Sequence, residues 1–156
     1  MGLMSNISDI IEQYLKTVFQ LKGQNAIEIK RSEVANRFQC VPSQINYVIN
    51  TRFTLEKGYI VESKRGGGGY IRIMRVRHKD KSSLIDEIIK MANPTISQRS
   101  ATDILDRLLE EELITEREAK IMLSAMERTT LAYNLPFRDE IRSRILTAML
   151  SQLKYF

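Results

Sequence analysis

A chain of 156 residues, 43% hydrophobic and 28% charged, fits one ordinary globular domain or two small ones. No stretch approaches the roughly 18 consecutive apolar residues of a membrane helix, and no charged segment leads into an apolar run as in a secretory signal; the single cysteine, Cys40, excludes an internal disulfide and fits a reducing, cytoplasmic compartment. The net charge of +5 is unevenly shared, with 14 Lys and Arg against 7 Asp and Glu in residues 1–81 and 10 against 12 in residues 82–156, which suggests a nucleic-acid-binding half joined to something else.

Ile7, Ile10, Ile11, Tyr14, Leu15, Val18 and Leu21 recur at the spacing of an amphipathic helix, with Ser5, Asn6 and Ser8 as candidate N-caps and Lys22-Gly23 as its stop. Ala26-Ile27-Glu28-Ile29 alternates as a short strand does. Val34, Ala35 and Phe38 then share one face of a short helix beginning near Arg31. After a break at residues 39–41, Pro42 suits the first turn of another helix, with Ile45, Val48, Ile49 and Phe53 inward and Lys57-Gly58 at its close. Two short helices joined by so brief a turn make a helix-turn-helix. The outward positions of the second are Ser43, Gln44, Asn46, Tyr47, Asn50, Thr51 and Arg52. An ordinary solvated face would carry Glu and Lys; this one offers the amides, hydroxyls and guanidinium that match base edges and phosphates.

Tyr59-Ile60-Val61-Glu62-Ser63-Lys64 and the segment from Tyr70 to Arg77 read as the strands of a hairpin, joined by Arg65-Gly66-Gly67-Gly68-Gly69. A hairpin directly after a recognition helix is the wing of a winged helix, and Lys64, Arg65, Arg72, Arg75 and Arg77 make it basic. Residues 79–83 read as a polar linker. Beyond it run four helical stripes: Leu84 to Ala92, Ala101 to Leu109, a helix opened by a Thr115/Glu118 capping box and holding Ala119, Met122 and Met126, and a last one holding Ile141, Ile145, Leu146, Met149, Leu150 and Leu153. The expected architecture is therefore α+β: a winged helix over residues 1–78 and an all-α domain over 84–156. So small a helical core favours association, and a symmetric homodimer is the default expectation.

Four consecutive glycines lose more backbone entropy on ordering than any other tetrad, and a structural turn needs only one or two. The tetrad precedes a strand rather than a helix and lacks the Gly-Lys-Ser/Thr that would cradle a nucleotide. A slack hairpin loop is one reading. The other is close approach to a crowded surface such as the DNA minor groove, about 6 Å wide, with Arg65 drawn to its negative potential. Ordering such a loop only on binding would make the contact weaken on warming. With one histidine (His78) and one cysteine, no catalytic triad, Cys–His dyad or zinc site can be assembled, so neither an enzyme nor a cofactor or metal site is expected. Single-stranded nucleic-acid binding would need more stacking aromatics than Tyr47 and Tyr70. A protein-docking scaffold is the rival from another class.

Ile7-Ser8-Asp9-Ile10-Ile11-Glu12, Glu33-Val34-Ala35-Asn36-Arg37-Phe38, Val41-Pro42-Ser43-Gln44-Ile45-Asn46-Tyr47-Val48-Ile49 and the run from Phe53 through the tetraglycine to Ile71 together resemble the class III stress gene repressor family, CtsR, of Gram-positive bacteria. The resemblance covers essentially the whole chain. It implies a dimeric repressor of heat-shock genes for Clp proteases and chaperones that binds a tandem direct repeat of double-stranded DNA. It also implies release on heating through the glycine-rich wing, and targeting by a protein arginine kinase and the Clp protease machinery. Carried over by position, residues 42–57 are the recognition helix and residues 65–69 the wing tip. Gln44, Asn46, Asn50 and Arg52 are then expected to read the major groove or hold phosphates, and Arg65 with Gly66, Gly67, Gly68 and Gly69 to enter the minor groove. Arg31, Ser43, Tyr47, Lys64, Tyr70 and Arg72 complete the expected DNA-contacting set. Arg31, Arg52 and Arg65 are the candidate arginines whose phosphorylation would turn attraction into repulsion.

Overall fold

The computed structural model describes residues 6–23, 25–64 and 69–155 and divides the chain into two units, Met1–Val76 and Arg77–Phe156. In the first unit, helix α1 (Ile7–Lys22) opens at Asn6, whose side chain accepts the Asp9 N–H, and closes at Gly23 in the left-handed conformation (φ 59°). Its buried face is narrower than the sequence suggests. Ile11 and Leu15 are fully buried, but Ile10 is 44% and Leu21 82% exposed, because α1 packs on one side only.

Strand β1 (Ala26–Lys30) buries Ile27 and Ile29 and runs straight into α2 (Arg31–Arg37). The chain turns through Gln39 at φ 53°, with the Cys40 N–H returning to the Ala35 carbonyl, and α3 (Pro42–Arg52) follows. Ala35, 2% exposed, brings α2 and α3 close together. Helix α3 stops at Arg52, five residues before the expected Lys57. Thr54 breaks it: its hydroxyl accepts the Lys57 N–H and its carbonyl the Tyr59 N–H, a local alternative to another helical turn. Buried Phe53 leaves the helix to meet Tyr59 edge-on at 4.8 Å.

Strands β2 (Tyr59–Lys64) and β3 (Tyr70–Arg75) form the hairpin, and β1 pairs antiparallel on the free side of β3 to give the order β1-β3-β2. In this register Ile27, Ile73 and Val61 lie in one row and Ile29, Ile71 and Ser63 in the next, all on the face that meets the helices. The opposite face carries Glu28, Arg72 and Glu62 in one row and Lys30, Tyr70 and Lys64 in another.

The second unit is all-α among the described residues. Asp80 caps α4 (Lys81–Met91) by accepting the Ser83 N–H, so three residues expected in the linker are helical. Ser97 caps α5 (Gln98–Glu110), and the Thr115/Glu118 capping box at α6 (Glu116–Met126) is formed in both directions. A one-turn helix, α7 (Arg128–Leu131), precedes α8 (Phe137–Leu153) and adds to the four expected stripes. Around Leu84, Ile85, Ile88, Ile104, Leu108, Met126, Leu146 and Leu150 lies one continuous core. On α8, Ile141 is only half-buried, and Arg142, 1% exposed, takes the interior instead. Its Nε donates to the Met126 carbonyl at the end of α6 and its Nη1 to the Ile96 carbonyl and the Asp139 carboxylate. Those carbonyls need a donor, and the guanidinium supplies it. No described helix is long and apolar enough to cross a membrane.

Candidate nucleic-acid interface

Helix α3 buries Ile45, Val48 and Ile49, and its opposite side presents Ser43, Tyr47 and Asn50 to solvent, with half-buried Asn46 beside them. Positions 43, 46, 47 and 50 fall on one face of a helix. The stripe offers one hydroxyl, two amides and a phenol, and no charge, over about two turns.

The other expected readers on α3 are already engaged. The Gln44 Nε2 donates to the Oγ of buried Ser8 at 2.9 Å, and the Arg52 Nη1 lies 2.8 Å from both an Asp9 and a Glu12 carboxylate oxygen. Burial opposes the charge on Glu12, yet its contacts with Lys16 and Arg52 win and hold its pKa below the usual carboxylate value. Burial likewise opposes the charge on Arg52, and its hydrogen bonds to Asp9 and Glu12 outweigh it, raising the arginine's pKa further. The geometry thus places Gln44 and Arg52 as ties from α3 to α1. Thr51 donates to the Tyr47 carbonyl within the helix.

Arg31 sits where β1 passes into α2 and touches three elements. Its backbone N–H donates to the Gly69 carbonyl, its Nε to the Asn46 Oδ1 at 2.6 Å and its Nη2 to the Ser63 Oγ at 3.1 Å. One side chain therefore links the exposed stripe of α3 to the root of the wing. Gly69 lies at φ +76°, where a side chain would be strained, and its missing Cβ would sit 3.8 Å from the Arg31 Nη1. At the tip end of the sheet, Lys30 and Lys64 flank Tyr70, with the Lys30 ammonium 5.9 Å from the ring centre. Lys64 also pairs with Glu28 at 3.4 Å, but both groups are mostly exposed, so the pairing is weak and leaves the charge available. Arg72 lies between Glu28 and Glu62 on the sheet face turned away from the helices. Arg65, Gly66, Gly67 and Gly68, on which the minor-groove expectation rests, lie outside the described residues.

Reading the sequence missed Ser8, Asp9, Glu12, Lys30 and Ser63. Asp9 and Glu12 stand three apart on one helical face, which signals a shared partner; nothing local identifies that partner as Arg52. Among the described residues no group of three His, Cys, Asp or Glu could hold a metal.

Two family models cover almost the whole chain: the CtsR N-terminal HTH domain matches residues 6–77 and the CtsR C-terminal dimerization domain residues 80–151. The chain belongs to the CtsR family. It is 64% identical to the transcriptional regulator CtsR of Geobacillus stearothermophilus, over 97% of this chain and 99% of that one. To the transcriptional regulator CtsR of Bacillus subtilis it is 60% identical, over 96% and 97%. A crystal structure of CtsR in complex with a 26bp DNA duplex superposes with a TM-score of 0.89 at 64% identity, covering 97% of this chain and all of that one. The α+β architecture read from the sequence, a winged helix followed by a helical unit, is that of the family.

Proposed function

We propose that this protein is a transcriptional repressor that binds double-stranded DNA as a homodimer, placing α3 in the major groove. The observation that carries this is the uncharged stripe of Ser43, Asn46, Tyr47 and Asn50, held beside the wing by Arg31. Amides are the groups that pair with adenine edges, and hydroxyls serve any base. Lys30 and Lys64 at the end of the sheet supply sequence-independent attraction to phosphates. The similarity to a CtsR crystallised on DNA and the dimerization model over residues 80–151 support the same reading.

The finer parts rest on the family resemblance. The operator is a tandem direct repeat before genes for Clp proteases and chaperones; Arg65 and the four glycines enter the minor groove; and heat releases the complex by raising the entropic cost of ordering that loop. Arginine phosphorylation and the Clp machinery act on the same molecule. Arg31 is the modification site with the widest consequence, since a phosphoryl group there would displace Asn46 and Ser63 as well as repel DNA. The protein is a binding protein of the cytoplasm rather than an enzyme.

Titration of a labelled duplex carrying the tandem repeat, against a scrambled duplex at several salt concentrations, tests the reading. The repeat is expected to bind at least ~1,000-fold tighter, with both affinities falling steeply as salt rises. Equal affinity for the two duplexes excludes a sequence-specific repressor, and affinity independent of salt points to a protein-docking scaffold.

A further inference from the structure

The helical unit carries an open pocket of about 540 Å3 where the start of α5, the short α7 and the first turns of α8 converge. Residues 82–156 hold only ten basic side chains against twelve acidic ones, yet four of the ten, Arg99, Arg128, Arg138 and Arg142, line this pocket, facing only Asp103 and Asp139. Asp139 is taken by Arg142. Among the described residues none of Arg99, Arg128 and Arg138 makes an ion pair. The Arg138 Nε and the Arg142 Nη2 are both buried with no hydrogen-bond partner, although the rest of the Arg142 guanidinium is fully used on the Met126 and Ile96 carbonyls. The Met126 and Ile96 carbonyls account for Arg142, but three further guanidinium groups set around it in a net acidic half are not explained by folding: buried donors left unpaired destabilise, and like charges repel.

We propose that this pocket binds a small organic phosphate carrying at least two negative charges. Guanidinium forks match phosphate oxygens in pairs, and a phosphoryl group near −2 offsets the excess of four arginines over two aspartates. A single carboxylate would leave half of that excess unpaired. The first turn of α5, with Ser97 as its cap, adds its positive dipole end to the same side. Leu135, 59% exposed on the pocket wall, offers an apolar surface to the rest of the ligand, and the volume suits a mononucleotide better than a bare phosphate ion. Because Arg142 ties the end of α6 to the approach to α5, an occupant would stabilise the helical unit, and through it the dimer, by mass action.

The test is calorimetric titration and thermal melting of the full-length protein, without DNA, with pyrophosphate, adenosine monophosphate and uncharged adenosine, and with sulfate at matched ionic strength. Adenosine monophosphate is expected to bind saturably and raise Tm by several degrees, pyrophosphate to bind more weakly, and adenosine and sulfate to do neither. Arg99→Gln combined with Arg138→Gln should weaken adenosine monophosphate at least ~10-fold while leaving operator affinity unchanged. Should the double variant fold poorly, Arg99→Gln alone on the exposed rim carries the same expectation in smaller measure. Pyrophosphate binding as tightly as adenosine monophosphate would show that the ligand is an inorganic polyanion and overturn the organic-phosphate assignment. No saturable binding at millimolar concentration, or unchanged binding in the variants, would overturn the site altogether. So would dissociation of the double variant into monomers in sedimentation velocity, which would show that a second copy fills the pocket.

Discussion

Arg31 is the residue that ties α3 to the wing, because its guanidinium reaches Asn46 on α3 and Ser63 on β2. Removing it leaves the half-buried Asn46 amide without its partner, at a cost of about 1 kcal/mol, whereas the exposed Ser63 hydroxyl exchanges its bond for water. Arg31→Ala should therefore lower the stability of the winged-helix unit by that amount in urea unfolding and speed amide exchange at Ser63 and Lys64. Arg31→Lys should restore the charge without the exchange protection, since an ammonium cannot span both partners. Equal protection in Arg31→Lys and wild type would remove the clasp from this account. The Arg52–Asp9–Glu12 cluster makes a pH prediction. The folded-state pKa of Glu12 is lowered, so its stabilising contribution is complete above the ordinary value of 4.5 and is lost as pH falls through the lowered value. Glu12→Gln should be less stable than wild type at neutral pH, and the difference should shrink as the solution is acidified below 4.5. A difference that grows on acidification would reverse the sign of the argument.

At the scale of elements, local signals written in consecutive residues were legible. Asn6 and Gly23 bound α1, the Thr115/Glu118 box opens α6, and the alternation of Ile27 and Ile29 marks β1. The end of α3 was not, because Thr54 satisfies the following backbone more locally than another helical turn would, and periodicity cannot express that competition. Nor could spacing show that Gln44 and Arg52 are engaged by α1, since Ser8 and Glu12 lie 36 and 40 residues away in the chain. The exposed stripe of α3 was therefore legible as a set of residue types but not as the subset left facing solvent. Arg142 is the same case in the helical unit: a charged residue takes a core position because two distant carbonyls need a donor. The hairpin makes its own prediction at Gly69, where φ of +76° disfavours any L side chain while space itself is adequate. Gly69→Val should destabilise the unit by about 1–2 kcal/mol in chemical denaturation, and Gly69→Asn by less, because Asn tolerates the left-handed region. If the two variants were equally stable, crowding rather than backbone strain would govern the position.

For the whole molecule, a dimer with two-fold symmetry matches a palindrome, whereas a tandem repeat requires one reading head to turn relative to the other. The winged helix ends at Val76, whose N–H is held by the Gly58 carbonyl, and Asp80 already caps α4, so residues 77–79 are the stretch that would accommodate such a turn on the proposed operator. Inserting two glycines after His78 should keep affinity for the tandem repeat within ~10-fold and raise affinity for an inverted repeat of the same half-sites, both read by gel shift. Loss of tandem-repeat binding alone would mean that a fixed interface between the units, not the tether, sets the geometry. If α3 reads bases while the basic end of the wing sheet holds phosphates, a specificity profile separates the two roles. Affinities of wild type, Asn50→Ala and Lys64→Ala are measured against a set of operators each altered at one base pair. Asn50→Ala is expected to lose discrimination, worth about 1–3 kcal/mol, at one base pair of each half-site, and Lys64→Ala to weaken every operator alike and lower the salt slope by about 1. An Asn50→Ala variant that weakens all operators equally, or none, would contradict this division of roles.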